Sequence, residues 1–211
     1  METVALDGVT LEIARGEFVA VMGPSGCGKS SLLNIIGLLD RPTSGMHFFL
    51  DQDVTRLEER RAGRLRGRHI GFIFQNFNLI EDLSVAENIE LPLLYQNVGA
   101  GERRRRVAAV MDETGVAHRA RYRPGELSGG QQQRVAVARA VVSEPSLLLA
   151  DEPTGNLDSV HGQEVMSMLR ALNDHGTTII MATHSALHAG HASRTVHLFD
   201  GRIVSERRGV G

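Results

Sequence analysis

One segment of the chain has the residue types and spacing that suit phosphate binding. It consists of Gly23, Pro24, Ser25, Gly26, Cys27, Gly28, Lys29 and Ser30. It fits the pattern G-x-x-x-x-G-K-[ST], whose glycines let backbone N–H groups surround an anion at the start of a helix. Lys29 would reach the β- and γ-phosphates, the Ser30 hydroxyl would bind Mg²⁺, and Ser31 extends the cofactor-binding set. This phosphate loop predicts a nucleoside triphosphate site.

Lys29 is the only lysine among the 23 basic residues of the chain. An ammonium group on a slender stem fits among phosphate oxygens, whereas a guanidinium group is broad and planar. The use of arginine everywhere else and lysine here supports the assignment of this segment to nucleotide binding.

Two carboxylates, Asp151 and Glu152, follow an apolar run at residues 147–150 that is typical of a strand buried on both faces. Open α/β sheets bind ligands at the carboxyl ends of their parallel strands. Phosphoryl transfer needs a carboxylate that orients the metal and a group that positions or deprotonates water. We therefore expect Asp151 to hold Mg²⁺ and Glu152 to act as the general base.

A second Gly-rich turn, at residues 127–131, precedes a predicted helix at residues 132–142. A helix N-terminus is an anion-binding position, and this one would use Ser128, Gly129, Gly130 and Gln131. A chain with one phosphate loop has no evident need for a second such position. The sequence therefore favours a homodimer in which this turn, the signature turn, serves the nucleotide of the other subunit.

Taken in chain order, these motifs resemble those of the ATP-binding-cassette (ABC) ATPases over nearly the whole sequence. The matching pieces are the phosphate loop, Gln75, the signature turn, residues 147–152, the turn at residues 156–158 and His184. In that family a pair of domains binds ATP head to tail, each phosphate loop facing the partner's signature turn. The resemblance implies that Gln75 senses Mg²⁺ and the attacking water, that His184 contacts the γ-phosphate, and that Asp158 crosses to the other subunit.

Four longer stretches, at residues 71–75, 87–92, 129–135 and 150–158, resemble the lipoprotein-release and macrolide-exporter ATPases. Those ATPases work with transmembrane permease subunits. The resemblance thus implies an ATP hydrolase that powers an export-type transporter from the cytoplasmic face of the inner membrane. Two alternatives stay open: a regulatory or cell-division ATPase that acts on a membrane partner without transport, and a soluble ATPase of DNA repair or translation.

The sequence departs from the family pattern at its beginning. The family stacks adenine on an aromatic residue upstream of the segment at residues 5–8, whereas this sequence begins at Met1 and has its two tyrosines at Tyr95 and Tyr122. We expect a shortened N-terminus without the adenine-stacking residue, so that phosphate contacts supply more of the binding. Ser185 also stands where an acidic residue often follows the histidine.

The elements that must position these residues alternate between strands and helices. This alternation around a phosphate loop predicts an α/β fold with a mainly parallel sheet, antiparallel β segments and an inserted helical subdomain. The resemblance to the ABC ATPases implies that this fold is of the P-loop NTPase (RecA-like) type. We expect a single domain over residues 1–211, with a core at 1–75 and 144–211 and the helical subdomain at about 76–143. Strands are predicted at 4–13 (a pair), 17–22, 46–50, 69–74, 147–150, 177–183 and 195–204 (a hairpin). Helices are predicted at 31–39, 56–68, 84–91 (kinked or ended by Pro92 near Leu91), 103–114, 132–142 and 160–173.

Composition excludes several classes of protein. The net charge of −2 argues against a general nucleic-acid binder, and the arginines at residues 56–68 favour a solvated helix face. Cys27 is the only cysteine, which excludes an internal disulfide and a cysteine zinc site. We find no run of about 18 apolar residues and no signal peptide. We therefore expect a soluble, cytoplasmic chain that reaches the membrane through a partner.

Overall fold

The computed structural model describes residues 4–208 and is organised around a mainly parallel β-sheet. The strands are β1 (Phe18–Met22), β2 (Phe48–Phe49), β3 (Gln52–Asp53), β4 (Ile70–Phe74), β5 (Leu147–Asp151), β6 (Thr178–Thr183), β7 (Arg194–Phe199) and β8 (Arg202–Arg208). Within the described residues the main sheet has six strands in the order β4-β5-β6-β1-β7-β8. All neighbours are parallel except β7 and β8, which form an antiparallel hairpin. The short strands β2 and β3 pair separately.

Helices cover both faces of this sheet. They are α1 (Lys29–Ile36), α2 (Glu59–His69), α3 (Val85–Tyr95), α4 (Ala100–Glu113), α5 (Gly129–Val141), α6 (Ser159–Asp174) and α7 (Ala186–Ala189). Because successive side chains of a strand point to opposite faces, Phe18 packs with Met166 of α6 while Val21 packs with Leu33 of α1. Burial on both faces explains why β5 and β6 are apolar runs without alternation.

Helices α3, α4 and α5 share a separate apolar cluster. Ile89 and Leu93 of α3 are fully buried in it, beside Val110 of α4 and Val135 of α5. On another face of α5, Val137 belongs to the sheet cluster. The helix that begins at the signature turn therefore connects the helical layer to the sheet.

The predicted strand pair at residues 4–13 is wrong. This segment has no strand in the structure; the alternating residues Val9, Leu11 and Ile13, together with Leu6, pack against the sheet cluster as an irregular chain. The Asp7 N–H donates to the Gly201 carbonyl at 2.8 Å, so the segment lies beside the β7–β8 turn instead of forming its own hairpin. The alternation of apolar and polar residues in this segment reflects burial of one side of the chain and does not indicate a paired strand.

Of the two expectations for Pro92, a kink in α3 or its end near Leu91, the structure excludes the end, because the helix runs through Pro92 to Tyr95. A proline inside a helix removes one backbone hydrogen bond. Here, Ile89 and Leu93 flank Pro92 and are completely buried against the neighbouring helices, so packing outweighs that loss.

None of the helices within residues 4–208 is long and apolar enough to cross a membrane.

Candidate active site

The carboxyl ends of neighbouring parallel strands meet at one edge of the sheet. Phe74 of β4 pairs with Asp151 of β5, Asp151 pairs with Ala182 of β6, and Met22 of β1 pairs with Thr183 of β6. The next residue after each strand therefore leaves the sheet at the same edge. Those residues are Gly23, Gln75, Glu152 and, after β6, His184.

The phosphate loop wraps around the side chain of Lys29. Lys29 is 9% exposed, and its ammonium group donates to the carbonyls of Gly23 at 2.8 Å and Pro24 at 3.0 Å. Gly28 has a φ of 104°, a conformation that favours glycine, and a Cβ there would lie 2.4 Å from the Ala5 carbonyl oxygen. The loop thus needs glycine for both its curvature and its close contact with the N-terminal segment.

Ser30, in the first turn of α1, and Asp151, at the end of β5, are in direct contact. The Ser30 hydroxyl donates to Asp151 Oδ2 at 2.7 Å. A hydroxyl and a carboxylate are the hard oxygen donors that Mg²⁺ takes alongside phosphate oxygens and water. Within residues 4–208 no group of three His, Cys, Asp or Glu side chains is placed to hold a metal. The donor set therefore fits an ion completed by a nucleotide, and not an all-protein metal cage.

Glu152 and His184 form the second contact at this edge. Glu152 Oε1 lies 3.0 Å from His184 Nδ1, with side chains that are 15% and 73% exposed. The Glu152 backbone has a φ of 46°, and its N–H donates to Ala182 of β6. The left-handed turn directs the chain away from β5 immediately after the strand ends. Sequence reasoning did not predict this strained backbone, because glutamate carries no local signal for it.

Gln75 reaches towards the loop that follows Glu152. Its Nε2 donates to Asn156 Oδ1 at 3.2 Å, and the Asn156 amide donates to the Gln75 carbonyl and to Asn76 Oδ1, each at 3.0 Å. The structure therefore joins Gln75 to residues 155 and 156, which sequence reasoning did not foresee as its partners.

The signature turn caps helix α5. Ser128 accepts from the Gln131 N–H at 3.3 Å, and the Ser128 N–H donates to Gln131 Oε1 at 3.0 Å, which is a capping box. Ser128 is exposed. Within residues 4–208, no hydrogen bond connects the signature turn to the phosphate loop. The two anion-binding positions of one chain are therefore not joined directly.

Asp158 contacts His161, and the ring of His161 lies against Gly130 of the signature turn. Asp158 caps α6 by accepting from the N–H groups of Val160 and His161, and its Oδ2 lies 2.6 Å from His161 Nδ1. Hydrogen bonds from the backbone and then the side chain of His161 hold the pKa of Asp158 below its usual value. A Cβ on Gly130 would lie 2.5 Å from the His161 ring, so the glycine lets the turn and α6 approach closely.

Comparison with known proteins identifies the family. The chain matches the family model for ABC transporters over residues 6–155. It is 47% identical over 98% of its length to an uncharacterized ABC transporter ATP-binding protein of Thermotoga maritima, of which it covers 88%. It is 46% identical over 97% of its length to the macrolide export ATP-binding/permease protein MacB of Hyphomonas neptunium, but spans only 32% of that protein.

A solved structure of similar shape is a dimeric ATP-binding cassette, MJ0796, in a post-hydrolysis state bound to ADP and Pi. It superposes with a TM-score of 0.91 at 42% identity, over 98% of this chain and 91% of that one. The fold and the strand-end site together define a P-loop nucleotide-binding protein. The chain belongs to the ABC transporter family and is an ATP-binding cassette that hydrolyses ATP. The fold class, the resemblance and the enzyme class predicted from the sequence are confirmed.

Proposed function

We propose that this chain powers an export-type transporter by forming an ATP-driven, head-to-tail homodimer on a transmembrane permease. Relatives named for macrolide export are 46% identical over 97% of the chain, and a dimeric cassette of the family is 42% identical. The observation that carries the proposal is the pairing of polar side chains at the strand ends, Ser30 with Asp151 and Glu152 with His184. The place of action is the cytoplasmic face of the inner membrane, with no nucleic-acid partner.

In this proposal the phosphate loop binds ATP through its backbone N–H groups and Lys29, with Ser31 beside them. Ser30 and Asp151 would hold Mg²⁺, and Gln75 would contribute its amide oxygen. The ion, when bound, would supply positive charge that stabilises the negative charge developing on the phosphate oxygens. Lys29 exchanges its bonds to neutral loop carbonyls for bonds to anionic phosphate oxygens, so that its charge is paired with an opposite one.

Glu152 is the proposed general base, and it takes the proton of the attacking water. Its carboxylate is held in place by the left-handed turn and lies against His184, whose exposed ring is free to turn towards a γ-phosphate. We assign the chemistry to the core at residues 1–75 and 144–211. The helical subdomain at about 76–143 carries the signature turn, which with Asp158 completes the partner's site.

The first test replaces Glu152 with glutamine, which keeps its size and removes the base. Turnover should fall by about 10²–10⁴-fold, since this is what a general base contributes, while ATP-bound dimers persist in size-exclusion chromatography with light scattering. Glu144→Gln is the matched control, because Glu144 is an exposed glutamate with a similar left-handed φ of 53°. ATP hydrolysis by the Glu152→Gln chain within a few-fold of the normal rate would contradict the role of Glu152 as general base.

The transport role has a separate test. A tagged chain extracted from membranes with detergent should bring down a protein with membrane-spanning helices, and the pair reconstituted in vesicles should export a substrate. Co-purification without transport would favour the regulatory or cell-division function, and a chain that stays in the soluble fraction without a membrane partner would contradict the proposal.

A further inference from the structure

Asn156 holds the Gln75 amide through a set of hydrogen bonds that we name the Gln75–Asn156 contact. The Asn156 NH₂ group donates to the Gln75 backbone carbonyl and to Asn76 Oδ1, each at 3.0 Å. Asn156 Oδ1 in turn accepts from Gln75 Nε2 at 3.2 Å. The residues are 81 positions apart in the sequence. One asparagine side chain therefore engages both the backbone and the side chain of Gln75.

These bonds decide which atom of the Gln75 amide is left unbound. A backbone carbonyl only accepts, so the Asn156 NH₂ group must face it, and Asn156 Oδ1 must face Gln75. Gln75 consequently turns its NH₂ group towards Asn156. Among residues 4–208, Gln75 Oε1 has no hydrogen-bond partner, and this oxygen is the atom of the amide that Mg²⁺ prefers.

The loop that carries Asn156 is itself fixed by two other elements. Gln133 of α5 is completely buried and donates to the Pro153 carbonyl at 2.6 Å. The Thr154 hydroxyl lies 2.8 Å from His188 Nδ1, which belongs to α7. The position of Asn156 is thus set by α5 and by α7. Gln75 is therefore held against a loop that is itself fixed.

Gly155 completes the support. A Cβ at this position would lie 2.7 Å from Gln75 Nε2 and 3.0 Å from its Cδ, so the Gln75 side chain lies directly on the glycine. The φ of Gly155 is not positive, so its conformation is open to other residues. The glycine is therefore needed for the space it leaves to Gln75.

We propose that Asn156 is a positioning residue for Gln75, which presents the Gln75 amide oxygen, and not its NH₂ group, to magnesium-bound ATP. This inference rests on the role proposed above for Gln75. In this inference Asn156 also couples the signature turn to Gln75, because the loop of Asn156 is hydrogen-bonded to α5, the helix that begins at that turn. A rearrangement of that helix when a partner docks would reach Gln75 through Gln133, the loop and Asn156.

The test measures the affinity that Mg²⁺ adds to nucleotide binding in the full chain. The readout is the ratio of the Kd for the non-hydrolysable β,γ-imido ATP analogue in EDTA to its Kd in Mg²⁺, by calorimetry. Asn156→Ala should lower this ratio about fivefold to tenfold, the range expected for residues coupled in one network, and Gln75→Ala should lower it similarly. The double variant should fall no further than either single variant.

Three further variants make the result decisive. Gly155→Ala should give the same loss by displacing Gln75 while Asn156 remains. Asn156→Leu, which keeps a similar volume and removes the hydrogen bonds, carries the test if Asn156→Ala does not fold. Asn173→Ala is the control, because Asn173 also donates to two carbonyls, of Gly16 and Thr177, each at 2.9 Å, and lies in α6. The control should lower thermal stability and leave the ratio unchanged.

The outcomes distinguish failure of this inference about Asn156 from failure of the role proposed for Gln75. If Gln75→Ala lowers the ratio and Asn156→Ala leaves it within twofold of normal, the inference is overturned and the role of Gln75 stands. Additive losses in the double variant would also overturn it. If Gln75→Ala itself leaves the ratio unchanged, the proposed role of Gln75 fails, and the inference fails with it.

Discussion

At the scale of single residues, Glu152, the proposed general base, shows how the fold holds a side chain on an unfavourable backbone conformation. A left-handed backbone costs a non-glycine residue roughly 1–2 kcal/mol. Here the Glu152 N–H donates to Ala182 at 2.9 Å, and its carbonyl accepts from the Gly155 N–H at 3.0 Å. These bonds on both sides of the residue stabilise the turn. The backbone therefore directs the Glu152 side chain towards His184.

Lys29 offers a direct chemical test of the nucleotide site, because it is the only lysine in the chain. Mild acetylation removes the charge that would bind phosphate. We expect modification of Lys29, measured by mass spectrometry, to abolish ATPase activity, and Mg-ATP to slow both the modification and the loss of activity in parallel. Equal rates of modification with and without Mg-ATP would show that the lysine does not lie under the nucleotide.

His47 gives a prediction for pH. Burial lowers its pKa below the usual 6.5, with Asp53 opposing the shift. The fold therefore favours neutral His47, and the resulting stability is complete above pH 6.5 and is lost as the pH falls through the lowered pKa. The free energy of unfolding, from urea titrations, should drop less between about pH 7.5 and pH 5.5 in His47→Gln than in the unmodified chain. His118→Gln, at an exposed position, is the control; equal drops in all three proteins would contradict the prediction.

At the scale of elements, capping residues at the helix N-termini indicate where the helices begin. Ser84 accepts from the Glu87 N–H at 3.3 Å, and Glu87 accepts from the Ser84 N–H at 2.8 Å, so α3 begins with the capping box that its sequence predicts. Ser84→Ala should lower the free energy of unfolding by about 1 kcal/mol, measured by denaturant titration. Ser167→Ala, inside α6 and exposed, should have little effect. A larger loss from Ser167→Ala would show that the cap is not the cause.

The same scale shows what the sequence can predict. Apolar runs, glycines and capping residues are local signals, and they correctly placed β5, β6, α5 and the hairpin of β7 and β8. Whether Pro92 kinks α3 or ends it could not be decided from the sequence, because burial of Ile89 and Leu93 depends on other helices. The contacts of Gln75 with Asn156, and of Gln133 with Pro153, were not predicted at all. Each joins polar residues on different elements, and only the assembled fold brings them together.

At the scale of the whole molecule, no hydrogen bond within residues 4–208 joins the two predicted anion-binding positions. The phosphate loop lies at the strand ends with Asp151, Glu152 and His184, whereas the signature turn begins α5 and contacts α6 through His161. Exposed Ser128 is therefore available to another subunit. The account predicts that one chain supplies the catalytic edge of a site and that a second copy supplies its signature turn.

The measurement that tests this account most directly uses two inactive chains, Lys29→Ala and Ser128→Arg. Each homodimer has both sites damaged, but a heterodimer combines an intact phosphate loop with an intact signature turn at one of its two sites. Purified heterodimers, selected through different tags on the two chains, should recover about half of the turnover of the unmodified homodimer if the sites act independently. No recovery in verified heterodimers, or full turnover by the Ser128→Arg homodimer, would contradict the shared site.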